Sequence, residues 1–109
     1  MNHYEFKVDM TLSEAVDYLV REVPYEMIYM KELNPKGDLN SYIFIFEKYF
    51  LRMGNRAALT VVIHNFNGYT EIDSIAAGSS QSIFFRFDWG AGDEFASYIK
   101  KMFESHIIE

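Results

Sequence analysis

Residues 57–76, AALTVVIHNFNGYTEIDSIA, read as two strands folded back on each other about Asn67-Gly68. A two-residue type I′ turn needs positive φ at both central positions, and Asn-Gly is a dipeptide that accepts this well. With Phe66 opposite Tyr69, the register places Ile63 against Ile72, Val61 against Ser74 and Leu59 against Ala76 on one surface. His64 then faces Glu71 and Val62 faces Asp73 on the other, so one face of the hairpin is core and the other is wet.

The same pattern extends outward from the hairpin. Met53-Gly54-Asn55 turns the chain back into residues 41–51, where Tyr42-Ile43-Phe44-Ile45-Phe46 and Tyr49-Phe50-Leu51 offer apolar groups to both faces. Residues 25–33 form a further strand of the same two-sided kind, ended by the turn residues Asn34-Pro35-Lys36-Gly37-Asp38. Residues 3–10 alternate, with Tyr4, Phe6, Val8 and Met10 on one face and His3, Glu5, Lys7 and Asp9 on the other. Thr11-Leu-Ser-Glu14 is a capping box that opens a helix burying Leu12, Ala15, Val16, Leu19 and Val23, and Pro24 stops it. A last helix, from about Ala91 to Ile107, carries Phe95, Ile99, Met102, Phe103 and His106 on one stripe, with Asp93 and Glu94 early and Lys100 and Lys101 late. Gly78 to Ser82 has loop composition, and Ile83 to Phe87 reads either as a short strand or as an aromatic bridge.

These elements predict one α+β domain over 1–109, an antiparallel meander of about five strands with two helices on one face, in the order β-α-β-β-β-β-α. That order is similar to the TATA-box-binding-protein-like fold, whose helix-grip relatives hold apolar ligands between the sheet and the C-terminal helix.

Composition narrows the function classes. Half of the 109 residues are apolar and 17% are aromatic, ten Phe, eight Tyr and one Trp, an ample core supply for this length. The absence of cysteine removes disulfides, thiol nucleophiles and Cys-type metal sites and fits a reducing, cytoplasmic setting. A net charge of −6 argues against nucleic acid as a partner, and neither a secretory leader nor an apolar run of membrane-spanning length is expected from this reading.

Two stretches, Phe46-Glu-Lys-Tyr-Phe-Leu-Arg-Met-Gly-Asn-Arg-Ala-Ala-Leu-Thr-Val62 and Phe87-Asp-Trp-Gly-Ala-Gly92, resemble the signature of a small bacterial family of single-domain proteins of unknown function. The resemblance implies bacterial origin and single-domain size, and carries over no catalytic residue.

Candidate chemistry is sparse. His64 opposite Glu71 is either an acid–base pair, half a metal site or a cross-strand support; His106 sits on an apolar stripe and His3 near the terminus. Arg52 and Arg56, with Lys48, cluster at one turn where they can meet a carboxylate or phosphate, or simply form a charged rim. Arg86 lies close to the Gly78–Ser82 loop, whose amides and hydroxyls are able to cradle an anion. Asp88 and Trp89, in Asp88-Trp-Gly-Ala-Gly-Asp93, either approach a ligand or cap a helix with the ring in the core. No catalytic residue, metal site or cofactor is assigned. The reading that follows is a non-catalytic module that homodimerises through a helix-free aromatic sheet face bearing Tyr42, Phe44 and Phe46. Its rival is a domain holding a small apolar ligand between the sheet and the C-terminal helix, near Arg52, Arg56, Arg86, Asp88 and Trp89.

Overall fold

The computed structural model describes residues 2–50, 54–78 and 91–108. In chain order these form β1 (Asn2–Val8), α1 (Leu12–Glu22), β2 (Glu26–Glu32), β3 (Ser41–Phe50), β4 (Asn55–His64), β5 (Thr70–Gly78), α2 (Ala91–Met102) and a 3₁₀ turn at Glu104–His106. The five strands make one antiparallel sheet in the order β1-β5-β4-β3-β2. β2 through β5 are a meander. β1 closes the far edge beside β5, so the connection through α1 carries the chain from one edge of the sheet to the other.

The expected hairpin register holds within the two strands: Ile63 pairs with Ile72, Val61 with Ser74, Leu59 with Ala76, His64 with Glu71 and Val62 with Asp73, while Phe66 and Tyr69 lie in the connection. Its turn differs from the expected type. Gly68 has φ of 87°, but among the described residues no non-glycine residue has positive φ, so Asn67 does not adopt the type I′ conformation. Residues 65–69 instead form a longer connection in which the Gly68 N–H donates to the Asn65 carbonyl at 3.4 Å. Longer hairpin connections built around an ordinary turn with one left-handed residue keep the same strand pairing, which is why the register survives.

α1 begins at the capping box: the Glu14 N–H donates to Thr11 Oγ1 at 3.1 Å, and the Thr11 N–H donates to Glu14 Oε1 at 2.9 Å. It ends at the extended Val23, before Pro24. α2 stops at Met102, earlier than the apolar periodicity suggests, and the chain after it turns extended. Ile107 bridges to Val8, the Asp9 N–H donates to the His106 carbonyl, and the Ile108 N–H donates to the Lys7 carbonyl, each of these two bonds at 2.9 Å. Two adjacent β-branched residues favour this extended path, and pairing with the β1 edge satisfies backbone groups that another helical turn would have left to water.

α2 packs on β1 and β5, and α1 on β4, all from one side of the sheet. Between the layers lie Phe6, Leu19, Phe44, Phe46, Leu59, Val61, Ile63, Ile72, Phe95, Ile99 and Phe103, the fully buried large side chains of one cluster. Tyr18 meets Phe103 edge-on at 4.9 Å and donates its hydroxyl to the Met102 carbonyl at 2.8 Å, tying α1 to the end of α2. Ser74 Oγ donates to the Ala96 carbonyl at 2.8 Å, which satisfies a hydroxyl that β5 turns into this core.

Candidate interaction face

Residues of β3 alternate between the helix layer and the opposite, outer face. Because core positions on β4 are odd-numbered and pair with even-numbered residues of β3, Tyr42, Phe44 and Phe46 point toward the helices. This corrects the expectation that these rings form the helix-free face. Phe44 and Phe46 are 0% exposed, stack along the strand at 6.1 Å and belong to the core. Tyr42 stacks on Phe44 and donates its hydroxyl to Glu32 Oε2 at 2.9 Å, a bond that, with burial, holds the phenol above its ordinary pKa.

The outer face is built from the remaining positions, and the pairings set them in rows across the sheet. One row runs Lys31, Ile43, Val62, Asp73, Glu5; the next runs Tyr29, Ile45, Thr60, Ile75, His3. Glu26, Glu47, Ala58 and Ala77 form a third, with Tyr49 and Arg56 beyond it and Ser41, His64, Glu71 and Lys7 at the opposite end. Ile43, Ile45, Val62, Ile75 and Tyr29 thus make one apolar area with charge along its border, and Tyr49 lies beyond the Glu26–Glu47 row. Tyr29 and Tyr49 are each 48% exposed.

Several border charges are paired. Arg56 Nη1 lies 3.2 Å from Glu47 Oε1 and 3.9 Å from Glu26 Oε1, with its guanidinium 5.9 Å from the Tyr49 ring centre. Those bonds separate two carboxylates that face each other across β2 and β3, so the Arg56 guanidinium expected to meet a ligand is engaged within the sheet. Arg52, Arg86, Asp88 and Trp89 lie outside the described residues.

The His64–Glu71 pair forms as the register requires, with Nε2 3.3 Å from Oε2. The Phe66 N–H donates to His64 Nδ1 at 3.3 Å, which leaves Nε2 as the protonated ring nitrogen facing Glu71. Asn67 Nδ2 also donates to Glu71, and the His64 ring stacks on Phe66. Every polar atom of the pair serves the hairpin, and the pair stands on the sheet surface. His3 and His106 likewise meet carboxylates, Asp73 at 3.3 Å and Asp9 at 3.2 Å. Among the described residues no group of three or more His, Cys, Asp or Glu is placed to hold a metal, and no helix is long and apolar enough to cross a membrane.

A network that sequence reading missed fixes one end of the face. Asn40, nearly buried, accepts from the Asn34 and Ser41 N–H groups at 2.7 and 2.8 Å and donates through Nδ2 to Glu32 at 2.8 Å. Its own N–H donates to Asn65 Oδ1 at 2.8 Å, joining the β2–β3 connection to the β4–β5 turn. Alongside lies a cleft of about 590 Å³ lined by Met10, Leu39, Tyr69 and Ile108 among others. At the opposite end of the molecule Tyr25 packs edge-on against Phe95 and Tyr98, and burial, then the neighbouring Tyr98 and Glu94, pushes its phenol up to about 12.

No curated protein and no solved structure matches the chain. One family model does, over residues 1–107, and the chain belongs to that family, DUF6054, a family of unknown function.

Proposed function

We propose that the chain is a non-catalytic interaction module that pairs with a second copy by laying outer face on outer face. The observation that carries this is the apolar area of Ile43, Ile45, Val62, Ile75 and Tyr29 inside a charged border, the centre-and-rim arrangement of protein interfaces. Four strands, each ~4.8 Å wide, over the four spacings of ~6.7 Å between the five outward rows give roughly 500 Å² of flat area per copy. Two copies would hide about 1,000 Å² before corrugation is counted, the lower limit for a specific interface.

Pairing through the edge is disfavoured by the shape of β2. The register slips between Met27 and Tyr29, a bulge at Ile28 of the kind that keeps exposed edge strands from adding another strand. The cysteine-free composition fits work in a reducing compartment such as the cytoplasm. The apolar-ligand reading finds less support, because Phe6, Phe44, Phe95, Ile99 and Phe103 are each 2% exposed or less between the sheet and α2.

Size-exclusion chromatography with light scattering over a micromolar concentration series tests the pairing. A mass approaching twice the 12.8 kDa of one chain is expected as concentration rises. A constant mass of 12.8 kDa through hundreds of micromolar would overturn it.

A further inference from the structure

We infer that the two copies meet about a twofold axis that runs parallel to the strands between β3 and β4, so that Lys31 of each copy faces Asp73 of the other. This rests on the face-to-face pairing proposed above and adds its geometry.

A closed dimer joined by one face needs a patch that matches itself under a twofold rotation. An axis along the strands between β3 and β4 exchanges β2 with β5 and β3 with β4 while keeping each row at its own level. In the first apolar row it sets Lys31 opposite Asp73 and Ile43 opposite Val62; in the next it sets Tyr29 opposite Ile75 and Ile45 opposite Thr60. Glu26 and Glu47 then meet only Ala77 and Ala58, and Tyr49 meets Arg56, a ring beneath a guanidinium. Nowhere in these rows do like charges meet. β1, the strand bearing His3, Glu5 and Lys7, overhangs the partner and stays in water.

Lys31 forms no ion pair among the described residues, whereas Asp73 holds His3 through Oδ1 at 3.3 Å and keeps Oδ2 for a second donor. Sheets packed face to face stand ~10 Å apart with strands nearly aligned, a gap that a lysine and an aspartate side chain bridge together. The other in-plane choice, an axis across the strands through the Tyr29–Ile45–Thr60–Ile75 row, brings Lys31 to Glu26. It also lays His64 on Arg56, bringing two basic groups together.

The test is sedimentation equilibrium on full-length K31E, D73K and the K31E/D73K double variant beside wild type, with circular dichroism melts to establish folding. Each single variant puts like charges at two symmetric positions and is expected to raise the dimer Kd about tenfold or more; the double variant reverses both partners and is expected to return to within a few-fold of wild type. A wild-type dimer whose Kd the single variants leave unchanged, or whose loss the double variant fails to restore, overturns this axis while leaving the pairing itself standing. A wild-type protein that stays monomeric overturns both.

Discussion

Tyr25 shows what a single buried ring contributes at this scale. Its phenol stays neutral in the folded protein to a pH of about 12, whereas in the unfolded chain it ionises near 10. A raised folded-state pKa means that the stabilising preference for the neutral ring is fully present below pH 10 and fades as pH rises through 12. Tyr25 is partly exposed, so solvent weakens the effect, but its direction is fixed. Tyr25→Phe is expected to flatten the fall of stability between pH 10 and 12, measured as urea midpoints in both proteins; parallel curves would refute the assignment. Residue-scale features were legible where partners are close in sequence. The Thr11–Glu14 capping box spans three residues and was read directly. Asn40 draws on Glu32, Asn34 and Asn65, up to 25 residues away, and no local pattern marks it.

At the scale of elements, the β4–β5 hairpin was readable because two alternating strands flank Asn67-Gly68, and alternation alone fixes which residues meet. The turn type was not, because several connections serve one register. Gly68 is the residue that depends on it. At φ of 87° a side chain is strained, yet a methyl placed there meets nothing within 4 Å, so Gly68→Ala tests the backbone alone. A loss of about 1–2 kcal/mol in denaturant unfolding is expected, with strand pairing unchanged in amide spectra. An unaffected stability would mean that the turn relaxes to another form. The faces of β3 were hidden by its composition, since Ile43 and Ile45 are as apolar as Phe44 and Phe46 and periodicity gives no preference. The parity was nevertheless present in the chain. Gly54, at φ of 63°, donates its N–H to the Phe50 carbonyl beside the Phe50–Asn55 pair, and carrying the β4 register back to that pair puts the aromatic positions inside. The end of α2 escaped for a different reason: the Val8 edge that draws Ile107 into extended pairing lies almost a hundred residues away.

For the whole molecule, the aromatic surplus divides between two jobs. Phenylalanines fill the layer between sheet and helices, while aliphatic side chains of β3, β4 and β5, with two tyrosines, cover the outer face. On the helix-free side of the sheet β3 presents Ile43 and Ile45, where Phe44 and Phe46 were expected. Only the register, and not the hydrophobicity of any one residue, distinguishes those sets. The central claim is that this outer face meets its copy in another chain. An isotope-filtered NOE experiment on a mixture of labelled and unlabelled protein, at a concentration that favours dimer, addresses it most directly. The account predicts intermolecular contacts between Ile43 and Val62 methyls and between Tyr29 and Ile75. Intermolecular contacts confined to Met27 and Met30 on the β2 edge, or none between any outer-face methyls, would contradict it.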